Sequence, residues 1–178
     1  MQISYRIVYG GIGALAATAS VQTMPALAQT MDVTLTIPRL NVAEYHRPYL
    51  AIWLEKEGAQ PRTLSIWYDY DMAKGEGTKW LRDMRQWWRV SGRSMRFPAD
   101  GVTGATRAPG AHKLSFTAGR APLGALTPGK YTLFVEASRE VGGREVVQLP
   151  FNWPPRAGTV VRASGKSELG AISLGFRK

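Results

Sequence analysis

The sequence contains no cysteine in its 178 residues. That single absence removes c-type haem attachment, iron–sulfur clusters, thiol nucleophiles and thiolate zinc sites. Any redox chemistry in this chain must therefore be carried by an organic cofactor. Histidine is scarce as well: His46 and His112 are the only two, too few to assemble a metal site, and both read as surface residues. Met72, Met84 and Met95 lack the tight spacing of a copper-binding tract. Asp69 and Asp71, two apart on one side of a strand-like run, could hold a hard cation, but carboxylates at a strand end are more often solvated. No G-x-S-x-G elbow gives a hydrolase nucleophile. No Gly-rich loop joins a strand to a helix, so Rossmann or P-loop nucleotide binding has no support.

Dense charge blocks are also missing. The net charge is +10, from 23 Lys and Arg against 13 Asp and Glu. Basic proteins attract anions, yet these cations are scattered from Arg39 to Lys178. They read as a solvated surface, and nucleic acid is not an expected partner. The longest uncharged run is N-terminal. After Arg6, Ile7 to Val21 is rich in Ile, Val, Gly and Ala, and Pro25-Ala26-Leu27-Ala28 supplies small residues before Gln29. This is the layout of a cleavable signal peptide over residues 1–28. The run is broken by Gly10, Gly11 and Gly13 and no stop-transfer charges follow, which argues against a membrane span. The expected product is a single exported, periplasmic domain of residues 29–178. At 150 residues it can bury roughly 70% of its unfolded surface and needs no disulfides.

Period-two alternation dominates what remains. Asp32–Pro38 sets Val33, Leu35 and Ile37 against Thr34 and Thr36, the pattern of a first strand. Tyr49–Glu57 and Thr63–Tyr70 are two more strand-like runs. The first is apolar on both sides, so both of its faces are expected to be covered. Leu114–Phe116, Lys130–Ser138, Glu145–Trp153, Thr159–Arg162 and Leu169–Phe176 complete the strand candidates, with Gly142-Gly143 centring a hairpin connection. Trp80, Leu81, Met84, Trp87 and Trp88 fall on one face of a 3.6-residue period, which predicts a helix over Thr78–Val90 capped by Thr78 and stopped at Gly92. Seven or eight short strands without βαβ alternation predict an all-β fold, an immunoglobulin-like antiparallel β-sandwich with one short helical insertion.

The stretch Asp100-Gly101-Val102-Thr103-Gly104-Ala105-Thr106 carries the chemistry. It resembles the acceptor motif of bacterial FMN transferases, Asp-x-x-(Ser/Thr)-Gly-Ala-(Ser/Thr), and every specified position is satisfied. The resemblance implies that Asp100, Thr103, Gly104 and Ala105 are recognised by the transferase. It implies that Thr106 receives FMN from FAD through a phosphoester. A phosphoester needs a hydroxyl, and an acceptor that enters another active site is expected on an exposed, mobile loop with small neighbours. Arg107, Lys113 and Arg120 are candidates to neutralise the phosphodiester, and His112 is a candidate contact to the flavin or its phosphate. The bland alternative is a Gly-rich loop in which Thr103 and Thr106 bond their own backbone.

A wider resemblance runs along the chain. The stretch around Trp53, the segment Asp100–Gly110 and the hairpin Tyr131–Trp153 look like a family of predicted periplasmic proteins, domain of unknown function 2271. That resemblance implies an extracytoplasmic electron-transfer role alongside FMN transferases and membrane redox proteins of the PepSY type, with a link to iron reduction or uptake. Outside the motif, the chain does not look like the usual FMN-binding domains, so the motif sits on a different scaffold. Aromatic stacking could supply a flavin surface; Trp88 is the helix indole expected to be partly exposed, although such a stripe is usually core. The competing expectation is a non-redox binding or assembly module offering a sheet edge or basic face. Thr106 separates the two, because only the carrier needs its hydroxyl.

Overall fold

The computed structural model describes residues 29–178; the expected signal peptide lies outside the described residues. Nine strands form two sheets packed face to face. They are β1 (Thr30–Ile37), β2 (Tyr49–Glu55), β3 (Arg62–Trp67), β4 (Thr103–Gly104), β5 (Gly110–Thr117), β6 (Gly129–Ser138), β7 (Arg144–Trp153), β8 (Val160–Ser164) and β9 (Ala171–Arg177). One sheet has the order β5-β1-β9-β8 and the other β4-β3-β2-β6-β7. The β-sandwich expected from the alternation is therefore what the chain adopts.

Alternation explains how the layers close. Val33, Leu35 and Ile37 of β1 point between the sheets and meet Leu50, Ile52 and Leu54 of β2 and Leu133 and Val135 of β6. The opposite face of β2 is covered too, as its two-sided apolar sequence requires. Tyr49, Ala51 and Trp53 form a second core with Ile66, Tyr68, Leu81, Met84, Trp87 and Phe134. Trp53 stacks on Phe134 at 4.9 Å between ring centres. A bulge in β3 serves both layers. Ser65 pairs with Ile52 but Thr63 pairs with Trp53, so the skipped Leu64 turns into the inner core. Thr63 remains outside, where its hydroxyl accepts from Trp87 Nε1 at 3.0 Å.

Three expectations need correction. Strand β5 runs the full eight residues opposite β1; its alternating polar residues face solvent at a sheet edge and hid most of its length. Strand β4 was not expected, and it pairs with β3 in parallel, so the sheets are not wholly antiparallel. The third concerns the helix, which is not continuous. Irregular 3-10 turns run over Ala73–Asp83 with a kink at Lys74 and Gly75, Met84 breaks them again, and α1 covers only Arg85–Val90. The cause lies across the sheet on β6. The fully buried Glu136 carboxylate accepts from the backbone N–H of Gln86 at 3.1 Å and of Trp87 at 2.7 Å. These donors are lost to a continuous helix ladder, so the helix restarts there. Thr78 caps nothing; its hydroxyl donates to the Gly75 carbonyl. Gly92 is required for packing, since a Cβ there would fall 2.7 to 2.9 Å from the rings of Trp87 and Trp88.

Candidate functional site

The motif lies on the return from the helical cover. Ala99 to Val102 makes a tight turn, with the N–H of Thr103 donating to the Ala99 carbonyl at 3.0 Å and Thr103 Oγ1 accepting from the Ala99 N–H at 2.9 Å. Gly101 takes φ +73° at the tip, a conformation natural to glycine. Asp100 and Gly101 are exposed. The chain then lies along the outer edge of β3: Ile66 N–H donates to the Val102 carbonyl at 2.8 Å and Tyr68 N–H to the Gly104 carbonyl at 3.0 Å. Burial raises the Tyr68 phenol above its ordinary value, while its hydrogen bond with Thr103 opposes that shift. The acceptor segment therefore lies at the surface but is not the exposed, mobile loop expected: Thr103, Gly104 and Thr106 are half-buried, and backbone hydrogen bonds tie the segment to the sheet.

Beyond β4 successive side chains part company. Ala105 is exposed. The half-buried Thr106 turns inward and donates from Oγ1 to Asp69 Oδ1 at 2.8 Å. Arg107 turns the other way, its guanidinium 4.1 Å over the Trp67 ring, a cation–π contact. The same indole meets the edge of His112 at 5.6 Å, and His112 Nε2 donates to the Ala108 carbonyl at 2.8 Å. Trp67 is itself 1% exposed, so Arg107 and His112, both just after the acceptor, anchor the chain to a residue of the inner core. Lys113 lies 3.9 Å from Asp32, and Arg120 belongs to the turn after β5.

Thr106 and Asp69 line a cavity of about 320 Å³, near the lower end of the roughly 300–1,000 Å³ of small-molecule pockets. Its aromatic wall is Tyr45, Tyr49 and Trp80, and its carboxylates are Asp69, Asp83 and Glu140. Arg47 and His46 also line it, and His46 lies 2.9 Å from Glu44 and 3.6 Å from Glu140. Asp69 Oδ2 accepts from the Tyr49 hydroxyl at 3.5 Å. Burial, reinforced by the Asp69 charge, pushes the Tyr49 phenol up to about 12. Asp69 thus fixes two hydroxyls, Thr106 and Tyr49, at the cavity wall. Thr106 is presented proton-first to a carboxylate, which leaves the lone pairs of Oγ1 turned elsewhere. Such a hydroxyl is oriented for attack on an electrophile.

Of the residues expected from the motif, the structure brings Thr106 to this cavity. Asp100 stays exposed in its turn, Thr103 and Gly104 build the β3 edge, and Arg107 and His112 go to Trp67. Sequence reasoning missed Tyr49 and Trp80 as cavity residues, and it weighed Asp69 only as a cation ligand. Asp69 lies 37 residues from Thr106, and nothing local signals that pairing. Among the described residues no group of three or more His, Asp or Glu is placed to hold a metal ion. No helix there is long and apolar enough to cross a membrane.

Neither the curated proteins nor the solved structures contain a match to this chain. A family model does match, over residues 30–171, from β1 into β9. It covers β1 to β8, the helical cover and the acceptor segment, and its description is that of a predicted periplasmic protein. The chain belongs to the DUF2271 family of predicted periplasmic proteins.

Proposed function

We propose that this protein is an exported electron carrier in which FMN is joined through its phosphate to the Thr106 hydroxyl. One observation carries the reading: the last residue of a complete acceptor motif is a hydroxyl held by Asp69 at the wall of a cavity. In the attachment, Thr106 Oγ1 forms a bond to the FMN phosphorus of FAD, the pyrophosphate bond breaks, and AMP leaves. The hydroxyl proton, already directed at Asp69, passes to that carboxylate and from there to solvent as the bond forms. Esterification therefore ends the Thr106–Asp69 hydrogen bond.

The residues present suit this group in a particular way. Exposed Asp100, Gly101 and Ala105 offer the motif to an FMN transferase, while the β3 edge holds it in one shape. Once bound, the flavin supplies one- and two-electron chemistry that no side chain here can. The chain contributes tether, orientation and a basic surface. That surface fits an anionic partner, and by resemblance the donor is a membrane redox protein of the PepSY type, with ferric iron a candidate acceptor. The protein is then a carrier and not a catalyst in its own right.

A second reading is favoured by the same cavity, because three carboxylates and three aromatic rings also suit a small ligand bound without redox chemistry. Intact mass separates the two. Co-expression with an FMN transferase should add one FMN unit to the protein, and Thr106→Ala should abolish the gain. An unchanged mass, with the transferase shown active on a known acceptor, overturns the carrier and leaves the binding module.

A further inference from the structure

Trp80 is the indole that the helical stripe does not explain. Leu81, Met84 and Trp87 are fully buried, whereas Trp80 is 46% exposed. Trp88, half-buried, is spent on packing, 6.2 Å from Trp87 and stacked 6.5 Å from Phe97. Because the helix restarts after Met84, Trp80 leaves the buried face and lines the cavity that holds Thr106. An exposed indole beside a cavity with two tyrosines is a stacking surface for a flat ring.

The charges narrow the ligand further. Asp69, Asp83 and Glu140 outnumber Arg47, the one unconditional cation of the lining. A phosphate or a reduced, anionic ring meets net repulsion there, while an uncharged ring with an N–H donor finds acceptors. We propose that this cavity is the seat of the neutral isoalloxazine ring, with Trp80 as its stacking partner, and that the one phosphate at its wall is the one bonded to Thr106. The proposal rests on the carrier reading for the identity of the ring. It also gives the covalent bond a physical purpose: so acidic a lining holds the phosphate of free FMN poorly, and the ester at Thr106 supplies the retention.

The test uses the purified, unmodified protein and riboflavin, which has the ring and the ribityl chain but no phosphate. Titration should quench flavin fluorescence saturably at one site. Trp80→Ala should weaken binding about tenfold, the size of one lost aromatic stack, without lowering Tm. Trp88→Phe should leave the affinity unchanged, and free FMN should bind more weakly than riboflavin. The absence of saturable riboflavin binding overturns the proposal. So does binding that is indifferent to Trp80→Ala, or tighter binding of FMN than of riboflavin. Failure here is distinct from failure of attachment: a mass gain at Thr106 without riboflavin binding removes the seat alone, and riboflavin binding without a mass gain removes the ester alone.

Discussion

On one face of β2, Leu50, Ile52 and Leu54 enter a mainly aliphatic core with Val33, Leu35 and Leu174 from the facing sheet. On the other, Tyr49 and Trp53 lie in a core of aromatic rings interrupted by polar groups. There Trp53 Nε1 donates to Glu55 at 2.7 Å, Trp87 Nε1 to Thr63, and Glu136 accepts from two backbone amides and from Arg144 at 2.5 Å. Aliphatic packing is non-directional and holds two sheets together by area alone. A polar network demands that every member be placed. The site adjoins the second layer, where Asp69 makes the same demand on the hydroxyls of Tyr49 and Thr106.

The contrast can be broken at its strongest point first. Ile52→Ala empties part of the inner core, where Ile52 is fully buried, and should cost about 2–5 kcal/mol. The loss should appear as one cooperative shift in a denaturant or thermal melt, with both sheets losing protection together. Glu136→Gln acts on the outer layer. It leaves an amide among donors that had a carboxylate, at a cost of about 1–3 kcal/mol. Hydrogen exchange should quicken at Gln86 and Trp87 while β1 and β9 keep their protection. Equal loss in both sheets would mean that the two layers are one unit.

The smallest effect is in acid. Burial would raise the Glu145 carboxyl, but hydrogen bonds from the backbone N–H groups of Lys166, Leu169 and Ser167 outweigh it and hold the group below its ordinary 4.5. A depressed folded value means that the stabilisation is complete above about pH 4.5 and is lost as pH falls through the folded value. Glu145→Gln should flatten the acid limb of a Tm-against-pH profile below that point and leave its shape near neutrality unchanged. A variant that steepens the limb would contradict this account of the β8–β9 loop.

The inner core was legible because alternation is a local signal: the periodicity of Asp32–Pro38 and Lys130–Ser138 marked both strands and their buried faces. The two-sided run Tyr49–Glu57 even announced the second layer. The helix failed because its boundary is set by Glu136, some 50 residues downstream, and no window around Thr78 contains that carboxylate. Thr106 was legible as a hydroxyl in a motif. Its partner Asp69 and its neighbour Trp80 were not, since a cavity is a product of tertiary packing and leaves no pattern in either segment. Trp80 illustrates the difficulty well: its spacing placed it in the stripe, and only the break after Asp83 released it.

Strand β4 has a consequence for solubility. The backbone amides of Ile66 and Tyr68 lie at the margin of a five-stranded sheet, and the carbonyls of Val102 and Gly104 occupy them. An unpaired margin of this kind is a template on which further chains can assemble. The two residues of β4 act as a guard rail, short enough to offer little template of their own. Shortening the segment from Ala99 to Thr106 would therefore do more than remove an acceptor: it would open the flank of β3 to self-association.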